Sequence, residues 1–129
     1  MNTSELNKIL EEHKIWIGSF GKSGSQADLR GADLREANLR GADLYEADLY
    51  GADLPELTFI ITGERYFITI ANGKSVRVGC QSHSIDKWRT FTKKQIIEMD
   101  GAASLRFYPR LLDIIDFYCG KGERPDWIK

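Results

Sequence analysis

At 129 residues, with 42% hydrophobic and 29% charged side chains, the chain is sized for one small globular domain. Its net charge of −1, from 18 Lys and Arg against 19 Asp and Glu, argues against direct nucleic-acid binding, and no apolar run is long enough to span a membrane. Two cysteines, Cys80 and Cys119, form no disulfide framework, and residues 1–5 lack the basic and apolar regions of a signal peptide, so a cytoplasmic protein with free thiols is expected.

Residues 1–25 read as a helix followed by a linker. Leu6, Ile9, Leu10, His13, Trp16 and Ile17 recur at helical spacing over residues 4–17. Thr3 or Ser4 can cap the start, and Gly18 stops the helix. His13 falls on the apolar face, where a packed or hydrogen-bonded histidine is expected. Gly21-Lys22-Ser23-Gly24-Ser25 is a short flexible link.

A repeat follows without a gap: Ala-Asp-Leu-Arg-Gly at 27–31, Ala-Asp-Leu-Arg-Glu at 32–36, Ala-Asn-Leu-Arg-Gly at 37–41, Ala-Asp-Leu-Tyr-Glu at 42–46, Ala-Asp-Leu-Tyr-Gly at 47–51 and Ala-Asp-Leu-Pro-Glu at 52–56. Leu57-Thr58-Phe59 reads as a degenerate seventh copy. On an α-helix, five steps advance the azimuth about 140° past a full turn, so the leucines would spiral and form no stripe. In a continuous strand an odd period sends successive leucines to opposite faces. A short extended piece followed by a turn satisfies the pattern. Ala and Leu, two apart, share one face, and the Asp or Asn between them faces outward and can accept from nearby backbone N–H groups. The next two residues turn the corner.

These residues resemble the pentapeptide-repeat family, whose motif is A(D/N)LXX. The resemblance implies a right-handed quadrilateral β-helix with four repeats per coil, its interior filled by the repeat alanines and leucines. Residues 20 apart should then stack: Leu29 with Leu49, Leu34 with Leu54, Leu39 with Phe59. On the outside Arg30 should lie beside Tyr50 as a cation–π pair, and Gly31 and Gly51 should share a corner. Six repeats make one and a half coils, too few to sustain a core unaided, so the flanks must cap both ends.

Phe59-Ile60-Ile61-Thr62, Tyr66-Phe67-Ile68-Thr69-Ile70 and Ser75-Val76-Arg77-Val78 read as strands, with Asn72-Gly73 as a type I′ hairpin turn. The hairpin is expected to cover the open edge of the coil. The remainder reads as helical: a short helix capped by Ser84, a second opened by the capping box Thr92-Lys93-Lys94-Gln95 and running to about Met99, and a third over roughly residues 102–119 that Pro109 kinks or restarts. The expected class is therefore α+β. Residues 1–25 form a capping helix and linker, 26–59 a short quadrilateral β-helix, 60–80 strands and a hairpin, and 81–129 a helical module, all in one compact domain. His13-x-x-Trp16 before the repeats, and Val78-Gly79-Cys80 followed by His83 and Trp88, are similar to small pentapeptide proteins of phages and prophages.

Chemistry is sparse. Cys80, His83 and Asp86 are the one grouping that resembles a nucleophile, base and orienter, but a strand end with a buried Cys80 and a helix cap explains them as well. Two such residues are too few for a structural zinc site, and the repeat aspartates fit turn hydrogen bonding and match no calcium loop. No nucleotide-binding or zinc-protease motif is present. The reading is a non-enzyme without a metal or cofactor. Arg30, Arg35, Arg40, Tyr45 and Tyr50 hold equivalent outward positions and form the candidate partner-binding surface. The repeats carry eight acids against three bases over residues 26–56, while residues 57–129 carry twelve bases against eight acids, among them Lys93, Lys94, Arg106 and Arg110.

Two functions fit. One is a non-catalytic interaction protein of a phage or prophage that binds a host or phage protein or self-assembles. The other is a binder that sequesters a small phosphate-containing ligand, such as a nucleotide or signalling molecule, in a pocket formed between protomers. Longer family members mimic DNA, but one and a half coils rise only about 7 Å at the strand spacing of a sheet. Ten base pairs of DNA rise about 34 Å, so only end-to-end assembly would make this chain long enough.

Overall fold

In the computed structural model, residues 1–128 are described. Helix α1 (Thr3–Gly18) precedes the repeats. After them come strands β1 (Phe59–Ile61), β2 (Ile68–Ala71), β3 (Ser75–Val78) and β4 (Gln81–Ser84), then α2 (Ile85–Trp88), α3 (Lys93–Cys119) and a 3-10 turn at Asp126–Ile128. The architecture is α+β, as the sequence implies. The sheet is antiparallel and open, with its four strands in chain order.

The first five repeats each close a four-residue turn. The amide of Ala32, Ala37, Ala42, Ala47 or Ala52 donates to the carbonyl of the leucine three residues earlier at 2.9–3.1 Å. Gly31 and Gly51 sit at φ 67° and 72° in these turns, a region closed to most side chains. Glu46 occupies the equivalent position at φ 61°, an unfavourable conformation for a residue with a Cβ. The outward Asp or Asn of a repeat locks the corner: Asp28, Asn38, Asp43 and Asp48 accept the N–H two residues ahead at 3.1–3.2 Å, as Asp33 does from Arg35.

The chain passes over itself every 20 residues, with parallel bridges pairing Asp28 with Asp48 and Asp33 with Asp53. The peptide of Asp48 donates to Ala27 O and accepts from Leu29 N, and that of Asp53 does the same for Ala32 and Leu34. Leu29, Leu34, Leu39 and Leu44 are 1% exposed. Burying each contributes about 1.5–3 kcal/mol.

The sheet is a middle layer. Ile60, Phe67 and Ala71 join the repeat leucines in one core, together with Leu6, Ile9 and Leu10 of α1. Ile68, Ile70, Val76 and Val78 face the other way, onto Trp88, Ile96, Tyr108, Leu111, Leu112 and Ile115. This explains why every residue of β2 is buried, without the alternation of a half-exposed strand.

The structure departs from the sequence expectations in five places. Helix α1 is capped by Asn2, whose side chain accepts from Glu5 N at 2.8 Å, instead of by Thr3 or Ser4. The coil does not continue at Leu57-Thr58-Phe59: Leu57 adopts φ 55° and is half exposed, and Phe59 packs on Tyr118 at 4.6 Å in the helical core, not over Leu39. Asn72 and Gly73 do turn the hairpin, both at positive φ, but Ala71 pairs with Ser75 and Lys74 is an extra residue on that side. Residues 81–84 form a fourth strand, brought back onto β3 by Gly79 and Cys80. Helix α3 breaks at Asp100 and Gly101, where the sequence separates the second and third helices, but Pro109 does not restart the third: it lies inside it with helical backbone around it.

Candidate functional site

The five outward residues have different surroundings. Arg30 reaches back to Asp28 of its own repeat with two bonds of 2.8 Å and lies 3.6 Å from Asp48 of the next coil. These bonds hold the Asp28 carboxyl at about 2 and raise the Arg30 guanidinium. Arg35 grips Asp33 at 2.9 and 2.8 Å, with the same lowering at the carboxylate. Arg40 bonds the neutral amide of Asn38 at 3.1 Å, so its charge is not balanced there. Tyr45 stands edge-on to Phe67 at 5.5 Å and is half exposed. Tyr50 is 85% exposed.

Of the five, the fold brings Arg30 and Tyr50 together one coil apart, tied by Gly31 N donating to Tyr50 O at 2.9 Å. The expected cation–π contact between them is absent among the described residues, where the cation–π pairs are Arg65 with Tyr66 and Lys87 with Phe91. Two carboxylates, Asp28 and Asp48, outcompete the neutral ring for the Arg30 guanidinium.

Three flanking side chains complete the coil. Asn72 accepts from Leu39 N at 2.9 Å with Oδ1 and donates to Ala37 O at 2.9 Å with Nδ2. Its amide thereby stands where the next coil's peptide would stand, as the Asp53 and Asp48 peptides do one and two sides earlier. Asn72 is itself held by Thr58 Oγ1 at 3.0 Å. Arg77 bonds Gly41 O at 3.3 Å and Asp43 at 3.4 Å. At the start of the coil, His13 is 0% exposed, accepts from Ala27 N at 2.9 Å through Nδ1 and meets Tyr45 O at 2.7 Å through Nε2. A carbonyl can only accept, so Nε2 carries the ring hydrogen. These bonds bear out the expectation of a packed, hydrogen-bonded histidine. Sequence reading assigned Asn72 only a turn and Arg77 only a strand position; their long-range bonds left no local signal.

The Cys80, His83 and Asp86 grouping is not assembled. Cys80 is exposed, contrary to the expected burial, because it lies with Gly79 in the turn between the paired residues Val78 and Gln81, outside both strands. His83 bonds Gln81 Oε1 at 3.1 Å and packs edge-on to Trp88 and Phe91 at 5.2 and 4.9 Å. Ser84 caps α2 by accepting from Lys87 N. Burial, with Lys87 nearby, lowers the His83 pKa below its ordinary 6.5. The folded protein therefore takes up this proton less readily than the unfolded chain. The stability His83 supports at neutral pH is lost as pH falls through 6.5 towards the lowered value. The melting temperature is expected to fall from pH 7 to 5, and His83→Gln to fall less steeply; equal slopes would rule out this assignment.

Among the described residues, no three His, Cys, Asp or Glu side chains are grouped to hold a metal, and no helix is long and apolar enough to cross a membrane. No curated protein and no solved structure gives a significant match to the chain. The family model for pentapeptide repeats matches residues 25–56 in eight copies, the segment that carries the stacked turns and the 20-residue bridges. Over that segment the chain carries pentapeptide repeats.

Proposed function

We propose that the protein is a non-catalytic interaction protein whose repeats form a right-handed, four-sided β-helix of about one and a half coils. The parallel bridges 20 residues apart and the turns of the first five repeats support that geometry. Pentapeptide-repeat proteins are in general non-catalytic structural or interaction proteins. In this reading the outer surface of the coil, with Arg30, Arg35, Arg40, Tyr45 and Tyr50, meets a protein partner or a second copy. It works in the cytoplasm as an accessory protein of a phage or prophage, a placement that rests on the flanking motifs.

The observation that carries the reading is the Arg30–Tyr50 side. A tyrosine ring 85% exposed stands one coil from an arginine already oriented by Asp28. Tyrosine and arginine are the usual anchors of protein interfaces, and a side chain fixed before binding loses less entropy on docking. Both ends of the leucine core are packed, by α1 and by the sheet, so association through the sides is favoured over end-to-end stacking.

A photo-reactive phenylalanine analogue at position 50 tests this in cells that encode the protein. The expected result is a cross-link to one defined protein or to a second copy, lost in Arg30→Ala and absent from the same analogue at Phe117, which is 82% exposed on α3. No adduct from position 50, or equal adducts from both positions, would contradict the reading.

A further inference from the structure

We propose that the cleft between the β3–β4 turn and the broken helix α3 binds a mononucleotide, its base in the cleft and its phosphate on an adjoining arginine cluster. This site lies in the helical module, away from the coil surface, and is independent of the partner reading.

The helix break creates the cleft. Asp100 at φ −158° and Gly101 at φ 58° separate residues 93–99 from residues 102–119. A cavity of about 220 Å³ opens there against the end of β3. Its walls are largely apolar and aromatic, with Val78, Trp88, Met99 and Tyr108 among them. An apolar cavity of about 150 Å³ already accepts a benzene ring, so a planar base is of the right scale. At the rim, Tyr66 donates its hydroxyl to Asp100 Oδ2 at 2.6 Å, which fixes the carboxylate. A carboxylate has acceptor capacity beyond one bond and can take an amino group of a base.

Phe107 lines this cleft and also a second pocket, whose other walls are Arg65, Ala103, Arg106 and Arg110. The two pockets therefore adjoin at Phe107. Arg106 and Arg110 are four residues apart on one helix and repel each other. Glu64 offsets Arg110 with bonds of 3.0 and 2.8 Å. Arg65 and Arg106 have no ion-pair partner among the described residues. Glu64, with Asp113 also acting on Arg110, balances that guanidinium, which leaves Arg65 and Arg106 to receive an anion. Arginine binds phosphate with paired, directed hydrogen bonds. The Phe107 ring, partly buried and edge-on to Tyr66 at 5.2 Å, is an aromatic wall common to both pockets, and aromatic walls suit the stacking of a base.

The test uses the full chain with AMP, adenosine and inorganic phosphate, by calorimetry and by the rate of Cys80 alkylation with N-ethylmaleimide. Cys80 lines the cleft and is exposed; Cys119 is half-buried with its thiol pKa raised by burial, and serves as the internal control. AMP is expected to bind one to one and to slow Cys80 alkylation without changing Cys119. Adenosine and phosphate should each bind about tenfold or more weakly, and Arg106→Ala should weaken AMP about tenfold without changing adenosine. Arg106 is exposed, so this variant should fold. Equal binding of adenosine and AMP, or of phosphate and AMP, would overturn the two-part site. Absence of AMP binding at millimolar concentration, or AMP binding that leaves Cys80 alkylation or the Arg106→Ala affinity unchanged, would overturn it entirely.

Discussion

Leu39→Asp is expected to abolish the cooperative melt. Leu39 is 1% exposed in the repeat core, and its own backbone is bonded to the sheet through Asn72. A carboxylate there has no cationic partner in a core of Leu, Ala, Ile and Phe side chains. Burying it unpaired costs several kcal/mol, against a total stability of about 5–15 kcal/mol for a domain of ordinary size. Leu39→Ala separates charge from volume: it should cost about 2–5 kcal/mol and leave a folded but less stable protein. Tyr50→Asp, on the exposed outer surface, should change stability by only about 0.5 kcal/mol. Calorimetry of the three variants checks the ordering. A wild-type melt for Leu39→Asp would mean that the leucine column is not the core.

The second large effect is expected at Asn72. Replacing it by Ala leaves Leu39 N–H and Ala37 O without their partners, at about 1–3 kcal/mol for each buried group. It also puts a Cβ-bearing residue without a local polar side chain at φ 57°, which costs roughly 1 kcal/mol more. Asn72→Gly keeps the backbone conformation and loses only the amide, so the difference between the two variants isolates the turn from the cap. Urea titration should place Asn72→Ala about 3 kcal/mol or more below wild type, with Asn72→Gly between them. If Asn72→Gly matched wild type, the amide would contribute nothing and Asn72 would be only a turn residue.

These two residues also divide what the sequence made legible from what it did not. The coil could be read because the same five-residue logic recurs: Asp28 and Arg30 behave as Asp33 and Arg35 do, and the register of 20 follows from four repeats per coil. The sheet could be read through β3 because Val, Ile and Tyr alternate or cluster there. Strand β4 could not, since Gln81-Ser82-His83-Ser84 is polar throughout and becomes a strand only by pairing with β3 at the edge of the sheet. The end of the coil was hidden for a similar reason. Leu57-Thr58-Phe59 keeps two apolar residues two apart but lacks the repeat's Ala and Asp, and the chain leaves the coil at Leu57. The replacement bonds come from Asn72, 33 and 35 residues away in sequence, a distance no local pattern reports. At the candidate surface, Arg30 and Tyr50 could be placed side by side from the register alone. Which partner Arg30 chooses depended on the carboxylates around it.

Side chains from the flanks stand in for the peptides that further repeats would supply, which lets six repeats hold together. Residue-resolved amide hydrogen exchange by NMR tests it most directly. Leu29 N and Leu34 N bond to backbone of the next coil, whereas Leu39 N bonds to the Asn72 side chain and Ala27 N to His13. All four amides are expected to exchange with similar, strong protection in the wild-type protein, and Leu39 alone to lose protection first in Asn72→Gly. Fast exchange at Leu39 and Ala27 beside slow exchange at Leu29 and Leu34 in the wild type would contradict the claim, since the caps would then not be holding the ends of the coil.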